Sequence, residues 1–193
     1  MKLKTNDELV KAFLAYENDD IVLVSKNGYT LRYSNEIIPA TGSKSGGVIG
    51  IKLSKGDYLA SGDSIDNSLN LLVLEASGQV KRIRNEDIQL TSRAVRGASI
   101  AKILKSKAWN INYVSKASIY DEFTFVDTEV KKLVAKDVPL MALDATFSSP
   151  ISLNKDWYLI KNIEECKIVD AIKKEVVLEE VHNDFEQIDI FES

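Results

Sequence analysis

The chain has 193 residues, of which 45% are hydrophobic, and a formal net charge of −4 at pH 7. This length allows a buried core in one large or two small domains. No apolar run approaches the roughly 20 residues of a membrane-spanning helix, and no secretory signal is recognisable. Because Cys166 is the single cysteine, no internal disulfide can form, which favours a reducing, cytoplasmic location.

The first predicted elements are short β-strands separated by turn residues. They are "DIVLV" (20–24), "YTLRY" (29–33), "VIGIKL" (48–53) and "YLASG" (58–62). Asn27-Gly28 lies between the first two strands, where a tight hairpin needs positive φ. The preceding segment "NDELVKAFLAYE" (6–17) has helical spacing, but its first half aligns with "KGDYLASG" (55–62), so a strand is predicted there.

The same pattern returns after fifty residues. Gly28 aligns with Gly78 and Arg32 with Arg82, and "VKKLVAKDVPL" (130–140) begins a third copy at the same offset without gaps. In the third copy, Thr128 and Phe147 stand where the earlier copies have glycine. A fixed period of this kind is the mark of a repeat architecture.

Four short strands per fifty residues indicate a propeller-type blade, which needs neighbours to bury both faces. The predicted fold is therefore all-β, with three to four four-stranded blades in one domain, 1–193. The predicted repeats are 20–69, 70–119 and 120–167, after a half-repeat at 1–19. A closing acidic segment, 168–193, is compatible with either a strand or a helix.

These blades resemble the repeats of the C-terminal domain of type IIA topoisomerase A subunits, namely gyrase A and its topoisomerase IV counterpart. The resemblance is carried by Gly28 and Arg32, by the small loop "GSKSGGV" (42–48) and by "VIGIKLSKGD" (48–57). It implies a β-pinwheel, whose neighbouring blades exchange strands and whose basic rim binds and bends duplex DNA. Further implied partners are an N-terminal cleavage domain and the ATPase subunit.

The resemblance also favours topoisomerase IV over gyrase. Gyrase A carries a basic Gln-Arg-Arg-Gly-Gly-x-Gly box, whereas "GSKSGGV" (42–48) has only Lys44 and "SRAVRGA" (92–98) has Arg93 and Arg96. Neither segment is a true box.

Charge is distributed unevenly along the chain. Residues 21–163 carry +5 and residues 164–193 carry −7, while 79–107 alone holds eight bases and two acids. Lys and Arg that displace counterions from phosphates supply affinity for DNA without reading its sequence. The candidate DNA-binding residues are Arg32, Lys44, Lys81, Arg82, Arg84, Arg93, Arg96, Lys102 and Lys105.

Each of these observations also has a plainer interpretation. The basic stretch could be a solvated edge, and Arg32, Arg82 and Lys132 could pair with the acids of their repeats, Glu36, Glu86 and Asp137. The acidic tail could be a solvated closing element or an electrostatic brake on the basic rim. The alternative function is a propeller-type protein-interaction module that has lost DNA binding.

Catalytic, metal and cofactor sites are not predicted. Tyr33 follows Arg32, as a cleavage tyrosine follows arginine in the resembled family, but its counterparts are Ile83 and Leu133, so it is predicted to be core. His182 is the single histidine, which leaves little material for a triad or a zinc site. Trp109 and Trp157, with Tyr158, are predicted to pack between blades.

Overall fold

The computed structural model describes residues 3–66, 68–103, 108–154 and 157–160. These residues form three antiparallel sheets and three 3-10 turns, with no α-helix among them. The predicted closing segment 168–193, with His182, lies outside the described residues, as does Cys166. The described part of the chain is thus all-β, as predicted.

Each repeat begins with a hairpin and a 3-10 turn. The first repeat contains β1 (Asp20–Ser25), β2 (Tyr29–Ser34) and β3 (Leu59–Ile65); the second contains β4 (Asn70–Glu75), β5 (Val80–Arg84), β6 (Ala98–Ser99) and β7 (Ile111–Ala117); the third contains β8 (Glu122–Val126), β9 (Val130–Val134) and β10 (Tyr158–Ile160). The 3-10 turns are Asn35–Ile37, Asn85–Asp87 and Ala135–Asp137.

Neighbouring repeats exchange strands. The first sheet has the order β3-β1-β2-β6, so its outer strand comes from the second repeat. The second sheet, β5-β4-β7, is extended in the same way by an antiparallel bridge from Val80 to Ser148 of the third repeat. The third sheet has the order β10-β8-β9. A sheet is therefore completed only when the following repeat is in place.

Two apolar clusters fill the spaces between the sheets. One joins the first and second sheets and includes Val22, Val73 and Ile100; the other joins the second and third and includes Leu72 and Phe125. Successive residues of β4 belong alternately to these two clusters. The strand is therefore buried on both faces, as a central sheet requires.

The glycines predicted in tight turns adopt the conformation that the turns require. Gly28 has φ of +80° and Gly78 has φ of +86°, a region that side chains with a Cβ rarely occupy. Each turn is then covered by the following repeat, because Trp109 packs against Gly28 and Leu153 against Gly78. The predicted packing of Trp109 and Trp157 between blades is confirmed by their membership of the two clusters.

The gapless alignment fails at two points. Ser25 pairs with Leu59 whereas Glu75 pairs with Ile111, so the second copy has two additional residues before β7. The third hairpin is shorter by the same number, since only residues 127–129 lie between paired Val126 and Val130. A three-residue turn does not need the glycine of the five-residue turns, which explains Thr128.

Two predicted strands are wrong. Residues 48–53, "VIGIKL", form no strand. Their counterpart in the second repeat, residues 98–99, pairs with the sheet of the preceding repeat, and the described residues contain no preceding sheet with which residues 48–53 could pair. Residues 6–17 form neither strand nor helix but a strap that contacts β3 and β7. Lys11 anchors this strap through side-chain bonds to Asp63 at 2.7 Å and to the Val114 carbonyl at 3.0 Å.

Candidate nucleic-acid interface

A loop of the second repeat lies on the first sheet and carries two arginines. The loop, residues 91–97, is fixed by backbone hydrogen bonds from Thr91 to the Arg32 carbonyl and from Ala94 to the Gly50 carbonyl. We call this join, with the adjoining edge of β2, the first seam. Ala94, at φ of +64°, and Gly97, at +81°, turn the chain so that the loop follows the sheet edge.

Both arginines of the loop are held by groups of the first repeat. Arg93 donates from Nη1 to the Ile49 carbonyl at 3.0 Å. Arg96 donates from Nη2 to the Tyr29 hydroxyl at 2.6 Å, and its guanidinium carbon lies 4.2 Å from the Tyr29 ring centroid. Arg96 is exposed and Arg93 half-buried. The first seam therefore presents two cations whose positions are set by contacts across it.

Arg93 also acts on the core beneath the loop. Tyr33 is buried, as predicted, and burial raises the pKa of its hydroxyl, while the positive charge of Arg93 acts in the opposite direction. A tyrosine whose hydroxyl is buried and resists ionisation is a packing residue. Tyr33 therefore offers no activated nucleophile.

Three of the other candidate cations are exposed. Lys44 and Lys102 lie on the surface, and Arg84 has 55% of its side chain exposed. The Nε of Arg84 is 3.9 Å from Glu86 Oε1, an exposed pair that contributes little to stability. Lys105 lies outside the described residues.

Lys81 is fully buried, which argues against the predicted contact with DNA. Its Nζ donates to the carbonyls of Ile100, Leu143 and Ala145 at 2.8–2.9 Å. Removal from water lowers the pKa of Lys81 to about 8, with Asp144 opposing the shift. Lysine side chains usually lie at the surface, which is why Lys81 is among the candidate contacts. In the structure Lys81 instead joins the second and third repeats from the interior.

At the repeat position that Arg32, Arg82 and Lys132 share, two of the three bases are held in ion pairs. Arg32 pairs with Asp20 at 2.6 Å, and Lys132 pairs with Glu122 at 2.7 Å. The acid in each pair therefore comes from the neighbouring strand, whereas the alternative interpretation paired Arg32 with Glu36 and Lys132 with Asp137. Arg82 is only 9% exposed, and its Nε has no hydrogen-bond partner among the described residues.

The sequence interpretation missed Tyr29 and Asp20. Tyr29 supports Arg96 although 67 residues separate them, so no local signal links the two. Asp20 could have been found from hairpin register, because Asp20 pairs with Ser34 and therefore lies diagonally beside Arg32. Three further exposed lysines, Lys26, Lys52 and Lys55, lie in the first repeat.

The described residues hold neither a group of metal ligands nor a helix of membrane length. Within 3–66, 68–103, 108–154 and 157–160, no three His, Cys, Asp or Glu side chains group as a metal site. No helix in that part of the chain is long and apolar enough to cross a membrane.

Comparisons with solved structures agree with the observed architecture. The chain superposes on a crystal structure of the C-terminal domain of DNA topoisomerase IV with a TM-score of 0.73 and 23% identity, covering 83% of this chain and 52% of that one. A gyrase A C-terminal domain gives 0.66 and 22%, covering 77% and 51%. At these identities the likeness establishes the fold.

Comparisons of sequence extend the relationship. The chain is 41% identical over 106 residues to the A subunit of DNA topoisomerase 4 from Streptococcus pneumoniae, and 36% identical over 135 residues to that from Streptococcus pyogenes. These matches cover 55% and 67% of the chain but 13% and 16% of the relatives. The chain thus corresponds to a small part of their length.

A family model matches the first sheet and the first seam. The model describes the DNA gyrase C-terminal domain, a β-propeller, and it matches residues 19–66 and 76–103. These ranges include the strand exchange at Ala98–Ser99 and both arginines of the first seam. Over these two stretches the chain is similar to the DNA gyrase C-terminal β-propeller family.

Proposed function

We propose that this chain is a non-catalytic module that binds duplex DNA without regard to sequence and bends it for the A subunit of a topoisomerase IV. The observation that carries the proposal is the first seam, where Arg93 and Arg96 are fixed by contacts to Ile49 and Tyr29 yet leave their charge at the surface. Preoriented arginines lose less side-chain freedom when they meet a phosphate.

The surrounding charge supports the same function. Exposed Arg84 and Lys102 belong to the same repeat as the seam arginines, and Lys44 lies in the equivalent loop of the first repeat. An arc of such contacts can offset the few kcal/mol that bending a 20–30 bp site costs. Lys81 and Arg82 are left out of this exposed set because both are buried.

The assembly that this function implies includes a cleavage domain of the same polypeptide and a separate ATPase subunit. In that assembly the chain would hold and curve a DNA segment beside the site where another domain cuts. Such a role places the protein on the nucleoid in the cytoplasm.

The test is a double substitution at the first seam. Arg93→Ala with Arg96→Ala should weaken duplex binding and reduce the slope of log affinity against log salt by about one to two, since each phosphate contact contributes about 0.9. Arg93→Lys with Arg96→Lys is the matched control, because it keeps both charges and should retain most of the slope.

The readout is fluorescence anisotropy with two duplexes of unrelated sequence across a salt series. Equal affinity for both duplexes is expected. Full binding by the folded alanine variant would place the contacts elsewhere. Absence of salt-dependent binding by the parent chain would favour the protein-interaction module instead.

A further inference from the structure

One position recurs in all three sheets at the same register. In each sheet the first residue of the hairpin pairs with a residue near the end of its second strand: Asp20 with Ser34, Asn70 with Arg84, and Glu122 with Val134. The basic residue of that repeat, which is Arg32, Arg82 or Lys132, lies two positions before the second member of the pair. The resulting sets are Asp20, Arg32 and Ser34; Asn70, Arg82 and Arg84; and Glu122, Lys132 and Val134. Their formal charges are 0, +2 and 0.

The first and third sets are neutralised by a carboxylate. Arg32 donates from Nε to Asp20 Oδ2 at 2.7 Å and approaches the same oxygen with Nη2 at 2.6 Å. Lys132 Nζ lies 2.7 Å from Glu122 Oε1. In each of these two sheets the acid at the start of the first strand supplies the anion for the base on the second strand.

The second set lacks this anion. Asn70 holds the position of the acid but has no charge, and the Nε of Arg82 is buried without a hydrogen-bond partner among the described residues. Arg84 adds a second guanidinium on the same face of β5, and its Nε lies 3.9 Å from Glu86 Oε1, both side chains being exposed. A buried charged donor without an acceptor is costly, so an anion that reaches it is favoured.

We propose that Arg82 and Arg84 form an oxyanion site of the phosphate class, in which a bound phosphate replaces the carboxylate that Asn70 lacks. A guanidinium fork matches two phosphate oxygens in geometry and retains its charge at every physiological pH. The phosphate is either a group of the DNA backbone or a free ion. The assignment of the phosphate to the DNA backbone rests on the proposed function.

The equivalent position of the first sheet shows that solvent reaches this point. The side chains of Arg32 and Asp20 are 12% and 18% exposed although they are paired. In the second sheet Asn70 is half-buried and Arg84 is exposed, so an oxyanion can approach over these two side chains. Arg82 lies two residues before Arg84 on the same strand and is itself 9% exposed.

The experiment supplies the missing carboxylate from the protein itself. Asn70→Asp should pair with Arg82 as Asp20 pairs with Arg32. In the parent chain, inorganic phosphate should raise the melting temperature above that in sodium chloride of equal ionic strength. Asn70→Asp should melt higher without phosphate and should lose the phosphate response.

Two control variants keep this result interpretable. Gln89→Glu adds the same charge at an exposed position of the same repeat and should retain the phosphate response. Asp20→Asn removes the acid from the first sheet and should create a second phosphate response where the first sheet had none. Asp20→Asn thus tests whether a guanidinium at this register attracts phosphate once its carboxylate is removed, even if Asn70→Asp folds poorly.

A DNA arm separates the two sources of phosphate. If a backbone phosphate occupies the site, Asn70→Asp should reduce the salt slope of duplex binding by about 0.9 while Gln89→Glu leaves it unchanged. A lost phosphate response with an unchanged DNA slope identifies a free-ion site. A phosphate response that persists in Asn70→Asp overturns the site, whatever DNA does. If the parent binds no DNA yet Asn70→Asp loses the phosphate response, the proposed function fails and the site stands.

Discussion

The first seam and the join between the second and third repeats, which we call the second seam, use the same backbone exchange for different purposes. Thr30 pairs with Ala98 at the first, and Val80 bridges to Ser148 at the second. The residue before the exchanged strand is Gly97 at the first seam but Phe147 at the second. The backbone pairing is therefore repeated, while the side chains around it are not.

The differences concern where positive charge is placed. The first seam carries surface arginines, Arg93 and Arg96, whereas the second has Leu143 and Thr146 at these positions. The second seam encloses Lys81 among backbone carbonyls, beside the buried ring of Phe147. The first seam also has an internal cation, because Arg32 Nη1 donates to the Asn85 carbonyl of the second repeat at 2.5 Å, but it displays surface cations in addition. A repeat architecture lets neighbouring joins specialise without altering their topology.

The largest expected effect is at the first seam. A Cβ at residue 97 would overlap the Thr30 carbonyl, and φ at this position is +81°. Gly97→Ala should therefore disrupt the exchanged strand and reduce the free energy of unfolding by about 3 kcal/mol. Urea denaturation measures this.

Gly47→Ala is the matched control, because Gly47 has φ of +77° but no atom within 4 Å of its Cβ position. It should cost only about 1 kcal/mol, the conformational part alone. Equal costs at the two positions would mean that the first seam does not depend on close approach of the backbones.

A comparable effect is expected at the second seam from Lys81→Met. Methionine keeps most of the volume but removes the donor of three buried carbonyls, which should cost about 2–4 kcal/mol. Arg84→Met, at the end of the same strand, should change stability by less than about 0.5 kcal/mol because Arg84 is exposed. A neutral Lys81→Met would show that the brace contributes nothing to stability.

The pH dependence of stability sharpens the same contrast. Burial lowers the pKa of Lys81 from 10.5 to about 8, so between these values the unfolded state binds more protons than the folded state. The contribution of Lys81 to stability should therefore rise with pH across this window, by up to about 3 kcal/mol.

The measurement is the stability difference between the parent chain and Lys81→Met, followed from pH 7 to pH 10. Taking the difference removes the opposing contribution of Tyr33, whose raised pKa makes the fold less stable as its hydroxyl ionises. A difference that stays constant with pH would contradict the buried, partly deprotonated lysine.

The smallest expected effect concerns DNA. Tyr29→Ala removes the ring beneath Arg96 and should reduce duplex affinity about two- to fivefold, the value of an exposed cation–π contact. Tyr29→Phe should retain part of this. Gln79→Ala, the counterpart at the second seam, should leave affinity unchanged, and a similar loss there would show that the seams do not differ in DNA contact.

The repeats predicted the fold well because their signals are local. Gly28 and Gly78 mark turns through their own backbone requirement, and Tyr33 is identified as core by its apolar counterparts in the other copies. The strand predicted at 48–53 failed because strand formation depends on a neighbour that local sequence does not specify.

The candidate site was predictable only in part. The basic stretch could be located from charge, but the exposure of Arg96 and the burial of Lys81 depend on what the adjacent repeat places over each residue. Lys81 contacts carbonyls 62 and 64 residues away. Sequence alone gives no means of distinguishing those two cations, which lie in the same basic stretch.

The exchanged strand also has a consequence for synthesis of the protein. When the ribosome has released β3, the outer edge of β2 still lacks Ala98 and Ser99, and at 5–20 residues per second these arrive about 2–7 s later. During that interval the nascent chain exposes an unpaired edge strand, the surface through which β-proteins aggregate. Conditions that slow elongation through the second repeat should therefore lower the yield of native protein, although every residue of the first repeat is already made.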